Sequence, residues 1–338
     1  MKLIESCLLA ARNRPRSVVF PDAVDGRAIE AAQYLARHGL ARPLLLANPF
    51  VLRRYCKQHG ILLGDVAIVD PEHSVWLDDY IDAYCAHRPG ALPEEARAQL
   101  LDPLWFGAMM LARGDIDLCI AGNLSATASV LRAGLRVVGL AEGTKVLSSV
   151  MFMIAPDGER VLAFSDCGVV PQPTSEQLAD IAISSADNFR TITGETPRVA
   201  MLSFSTRGSA KHAAVDTVRE ATALAQARRP DLLLDGELQF DAASVPGVAA
   251  QKAPDSPLEG SANVFVFPSL EAGNIGYKIA QRLGGYKALG PMIQGLRLPM
   301  HDLSRGCSAE DMVQMTLLAL RMGGLVEVPD GEGSLREA

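Results

Sequence analysis

In the stretch Asp117–Arg132, DLCIAGNLSATASVLR, an apolar run gives way to small and polar residues and then to a helical pattern. Asp117–Ala121 reads as a strand and Thr127–Val137 as the helix that follows it. A strand that ends in a small-residue loop and opens a helix is one βα unit of an α/β sheet, and open α/β sheets bind ligands at that end of their strands. Toward the N-terminus the alternation repeats. Ser17–Phe20, Pro43–Ala47 and Val66–Val69 read as strands, and Ala28–His38 and Phe50–His59 as helices closed by Gly39 and Gly60. Val75–His87 and the long stretch Pro93–Arg113 read as helical. This order predicts a parallel sheet covered on both faces.

Toward the C-terminus the pattern changes. Lys145–Ile154 and Arg160–Phe164 read as strands joined through Asp157-Gly158, a hairpin signal. Helix Glu176–Thr193, strand Val199–Phe204, helix Ala213–Arg228 and strand Leu232–Leu234 follow. Strand Asn263–Phe267, helix Asn274–Leu283, strand Ala288–Gln294 and helix Ala309–Met322 complete the pattern, with residues 323–338 as a frayed end. A hairpin at mid-chain predicts a second, mixed α/β domain.

Composition narrows the function classes. At about 100–200 residues per domain, 338 residues fit two domains. Hydrophobic residues at 49% supply ample core, which excludes a mainly disordered chain, and only 5% aromatics make that core aliphatic. A net charge of −7 argues against a chain built to grip nucleic-acid phosphates. No apolar run approaches the roughly 18–20 residues of a membrane helix. Residues 1–16 read as an amphipathic helix and not as a secretory signal. The six cysteines are dispersed, without a CxxC pair or ligand spacing, which argues against zinc and for a reducing cytoplasm. P-loop, GxGxxG, GxSxG and HExxH patterns are absent.

Three segments concentrate polar residues between apolar elements. In Ala121–Arg132 the hydroxyls and free N–H groups suit a phosphate or acyl phosphate, and Arg132 lies about one and a half turns into the helix, within reach of the same anion. The plainer alternative is that Ser125 or Thr127 only caps the helix. Phe267–Lys278 places Asn274, Tyr277 and Lys278 in an apolar run, and reads equally well as a surface helix start. In His301–Asp311, Ser304 and Arg305 precede the last helix. There Asp311 either looks into a cleft or closes a capping box with Ser308. Asp235–Asp241 carries three carboxylates, read as solvated loop or turn groups and not as a metal site.

Six segments in fixed order carry a family likeness: GNLSATASVLRAGL, DCGVVPQPT, SFSTRGSAKH, DGELQFDAA, PSLEAGNIGYKIAQRLGG and DLSRGCS. Over roughly residues 15–320 the chain resembles the phosphate acetyltransferase (phosphotransacetylase) family, nearest to its short ethanolamine-utilisation form. The resemblance implies two α/β domains with the active site in the cleft between them, in a fold like that of isocitrate and isopropylmalate dehydrogenases. Domain one would comprise 1–142 plus 297–338, completed by the C-terminal helix, and domain two 143–296. It further implies acetyl-CoA + phosphate ⇌ acetyl phosphate + CoA, by direct transfer in a ternary complex without metal or tightly bound cofactor.

Residue by residue, the family's catalytic Ser-Arg pair matches Ser304 and Arg305, its catalytic Asp matches Asp311, and its Arg after the small-residue loop matches Arg132. Ser125, Thr127, Asn274, Tyr277 and Lys278 are the further substrate-binding candidates. The loop departs from the family's usual His-Thr/Ser-Thr-Ala-Asp, and another family Arg has no counterpart in Ala86–Gly90 unless Arg88 takes its place. The expected setting is a homodimer in the cytoplasm, with a bacterial microcompartment as the narrower alternative, and no nucleic-acid or membrane partner. Two rivals stay open: a phosphate butyryltransferase, and a non-catalytic acyl-CoA-binding regulatory module like the related region of some malic enzymes.

Overall fold

The computed structural model describes residues 2–88 and 90–326. In chain order, α1 (Lys2–Asn13), β1 (Arg16–Phe20), α2 (Gly26–Arg37), β2 (Ala41–Leu46), α3 (Pro49–His59) and β3 (Ala67–Val69) open the fold. Next come α4 (Leu77–His87), α5 (Pro93–Leu100), α6 (Pro103–Arg113), β4 (Leu118–Ala121) and α7 (Thr127–Ala133). The hairpin β5 (Ser148–Ile154) and β6 (Val161–Ser165) leads to α8 (Ser175–Thr193), β7 (Arg198–Leu202), α9 (Ala213–Arg228) and β8 (Leu233–Leu238). Then follow α10 (Phe240–Ser244), α11 (Pro246–Lys252), β9 (Val264–Val266), α12 (Leu270–Arg282) and β10 (Lys287–Gln294). The chain ends in β11 (Met300–Asp302) and α13 (Ala309–Met322).

These elements form two units. One holds Lys2–Gly139 and the chain from Leu296 onward, the other Leu140–Gly295. The first carries a sheet in the order β11-β4-β1-β2-β3, parallel throughout. Its buried cluster includes Val19, Trp105, Phe106, Met110 and Cys119. The second carries the order β10-β5-β6-β9-β7-β8, antiparallel across the hairpin edge and parallel beyond it. Met153, Phe164 and Phe265 sit in its core.

Several expectations need correction. Pro93–Arg113 is two helices. Asp102 caps Leu104 N–H at 2.8 Å, and Pro103 starts α6 with a fixed φ and no N–H to continue α5. The helix expected from Asn274 begins at Leu270, where Ser269 accepts from Ala272 N–H. Asp235–Asp241 is not a solvated loop. Asp235 and Glu237 are buried in β8, where Arg207 pairs with Asp235 at 2.7 Å and Arg219 lies 3.7 Å from Glu237. The strand β11 and the short helices α10 and α11 have no counterpart in the sequence expectations, being too short for a period to show. Of the frayed end expected at 323–338, the part from residue 327 lies outside the described residues.

Candidate active site

In a parallel sheet the loops after the strand ends collect on one side, and here those after β1, β4 and β11 interlock. Asp22, just past β1, accepts from Gly122 N–H (2.8 Å), Leu124 N–H (3.1 Å) and Ser125 N–H (2.9 Å), and from Ser125 Oγ at 2.6 Å. One carboxylate therefore fixes the whole small-residue loop. Asp25 caps α2 and is gripped by Arg27 and Asn123. Burial raises the affinity of Asp25 for a proton, but the hydrogen bonds from Arg27 and Asn123 outweigh it and hold the acid below its ordinary value.

Arg27 joins the three loops. Its Nη2 donates to Asp25 Oδ2 (2.7 Å) and Asn123 O (3.1 Å), while Nη1 donates to Arg305 O (2.8 Å) and Cys307 O (2.7 Å). A planar guanidinium with several donors suits such a bridge; an ammonium could not span it. With the turn held by its backbone, the Ser304 and Arg305 side chains stay exposed. Ser304 Oγ accepts from Gly306 N–H at 3.2 Å, which leaves its O–H to donate outward. Arg305 forms no ion pair among the described residues.

Asp311 is exposed and closes a capping box. Its Oδ2 accepts from Ser308 N–H (2.9 Å) and Ser308 Oγ (2.9 Å), and Ser308 Oγ accepts from Asp311 N–H (3.1 Å). No hydrogen bond to Oδ1 occurs among the described residues, so the cap occupies one oxygen only. Burial pushes the Cys307 thiol up, away from the thiolate form a nucleophilic cysteine needs. His301, wholly buried, has its pKa pushed down to about 3 by burial and stays neutral.

Two expected substrate hydroxyls point into the protein. Ser125 Oγ donates to Asp22 Oδ1, and Thr127 Oγ1 donates to Asp302 Oδ2 at 2.7 Å. Neither caps α7, whose N-cap is Ala126. Burial raises Asp302 from 3.8 to about 6, against the pull of the Thr127 bond and Arg305. The folded chain thus binds this proton more tightly than an unfolded one, and the Asp302 charge destabilises the fold as pH rises through that window. Arg132 is exposed in the last turn of α7.

Arg88, at the end of α4, donates to Tyr84 Oη at 2.8 Å and lines a pocket of about 660 Å³ with Arg113, Arg136 and Arg297. In the other unit, Asn274 donates to Cys167 O at 3.1 Å, within α12 and not at its start. Tyr277 packs on the core there, and Lys278 Nζ lies 5.8 Å from its ring. Gly273 is required in α12, because a Cβ would stand 2.2 Å from Asp166 O. No cluster fit for a metal exists among the described residues.

Sequence reasoning missed Asp22, Asp25, Arg27, Asn123 and Asp302. Their side chains work through loops far apart in sequence, and only the clustering of Asp22, Asp25 and Arg27 straight after a strand could have signalled them.

The family described as Phosphate acetyl/butaryl transferase matches residues 2–320. The Bacillus subtilis phosphate acetyltransferase is 46% identical over 302 residues, covering 89% of this chain and 93% of that one. The structure of an EutD phosphotransacetylase from Staphylococcus aureus superposes with TM-score 0.88 at 38% identity, covering 95% of this chain and 98% of that one. A Streptococcus pyogenes phosphotransacetylase structure does so with TM-score 0.91 at 39% identity, covering 96% and 98%. An α/β chain with these relatives over nearly all its length is an enzyme of the transferase class. It belongs to the phosphate acetyl/butaryl transferase family.

Proposed function

We propose that this chain transfers acetyl reversibly between CoA and phosphate, acetyl-CoA + phosphate ⇌ acetyl phosphate + CoA, by direct attack within a ternary complex. The observation that carries the reading is the Ser304–Arg305 turn. Arg27 clamps its backbone, and a hydroxyl donor and a guanidinium without an ion pair among the described residues are left facing solvent beside an acidic helix start.

In this reading Asp311, through Oδ1, takes the proton of the CoA thiol as the sulfur attacks the acetyl carbonyl of acetyl phosphate. Ser304 donates to the oxyanion of the tetrahedral adduct. The C–O bond to phosphate then breaks, and Arg305 and Arg132 hold the departing phosphate. CoA is a substrate and no resident cofactor is needed. The basic pocket of Arg88, Arg113, Arg136 and Arg297 suits the phosphates of CoA. A cytoplasmic homodimer is the proposed form, with ethanolamine utilisation in a microcompartment as its narrower setting.

The test is CoA-dependent consumption of acetyl, propionyl and butyryl phosphate. Acetyl phosphate is expected to give the highest kcat/KM. A preference for butyryl phosphate would make the chain a phosphate butyryltransferase. Binding of acyl-CoA without turnover of any of the three would make it a regulatory module.

A further inference from the structure

Asp302 ends β11, just before the Ser304–Arg305 turn, and is 3% exposed. Its Oδ2 accepts from Thr127 Oγ1 at 2.7 Å, while Oδ1 is buried without a hydrogen-bond partner among the described residues. The carboxyl fits only because residue 122 is glycine with φ +99°, where a Cβ would stand 2.1 Å from Oδ1 and 2.6 Å from Leu303 N. A half-satisfied buried carboxylate costs stability, and an apolar residue of similar size would avoid that cost. Such groups persist where function needs them.

We propose that Asp302 and Thr127 form a positioning pair: their hydrogen bond ties the strand leading into Ser304 and Arg305 to the first turn of the helix that carries Arg132. The two reach the reaction through those residues and do not touch substrate themselves. This inference rests on the phosphate acetyltransferase reading.

Thr127→Val keeps the shape and removes the donor; Thr127→Ser keeps the donor. In CoA-dependent turnover of acetyl phosphate, Thr127→Val lowers kcat about tenfold, the scale of one hydrogen bond to a charged acceptor. KM for both substrates stays within about twofold, since the loss lies in the transition state. Thr127→Ser recovers most of kcat. Asp302→Leu, which removes the acceptor, lowers kcat by a similar factor, and the double variant Thr127→Val/Asp302→Leu loses no more than the worse single one, because both remove the same bond. Losses that multiply, or a raised KM at unchanged kcat, would make Thr127 a substrate contact and overturn the pair. Unchanged kcat and KM in Thr127→Val would overturn it too. A wild-type protein without this turnover overturns both the pair and the reading on which it rests; an active wild type with an unaffected Thr127→Val overturns the pair alone.

Discussion

Asp311→Asn lowers turnover at neutral pH by about 10²-fold or more, the scale of a lost general base. The capping box makes this the sharpest substitution in the chain, because it separates two roles of one carboxylate. As a cap, Asp311 accepts from Ser308 through Oδ2, and an Asn oxygen can accept the same bonds. The stability cost is therefore about 1 kcal/mol or less. As a base, it must receive the thiol proton, which an amide cannot do. CoA affinity is expected to change far less than kcat, since the interaction is lost in the transition state. Raising the pH is expected to restore part of the rate, because a thiolate formed in solution needs no base. Unchanged turnover in a folded Asp311→Asn protein would leave Asp311 as a cap alone and move the proton acceptor elsewhere.

Arg305→Ala and Arg132→Ala are each expected to lower turnover by about 10²–10³-fold, the cost of losing a donor aimed at developing charge. The fold should barely register either change. Both side chains are exposed, and Arg27 holds the turn through the Arg305 carbonyl, which survives truncation to Ala. Arg305→Lys restores only part of the rate, because an ammonium lacks the planar fork that grips two phosphate oxygens. Measured as initial rates against phosphate, near-wild-type kinetics in both Ala variants would remove phosphate from this side of the sheet. Arg27 makes a useful contrast. Its loss releases the backbones of Arg305, Cys307 and Asn123 together, so its effect enters through geometry and not through charge on the substrate.

The parallel sheet was legible because its strands are short apolar runs punctuated by glycine and proline, and because helices of ordinary length lie between them. The Asp157-Gly158 hairpin marked the change to the mixed sheet. Ser304, Arg305 and Asp311 were legible as a polar cluster before a helix, and the family likeness gave them roles. What stayed hidden was the framework beneath them. Asp22 and Asp302 act on loops about a hundred or more residues away, and spacing along the chain carries no trace of such contacts. The same blindness misassigned the orientation of Ser125 and Thr127. A hydroxyl in a small-residue loop looks available to a ligand until the buried carboxylate opposite it is seen. Asp235 and Glu237 misled in the opposite direction, since acidic residues beside a glycine resemble a turn, whereas their arginine partners lie on other elements.

The most direct test of direct transfer is the two-substrate initial-rate pattern, with CoA and acetyl phosphate varied together. Attack of the CoA thiolate within a ternary complex predicts double-reciprocal lines that intersect. Parallel lines, with acetyl trapped on Ser304 or Cys307 when CoA is omitted, would show an acyl-enzyme and contradict the account.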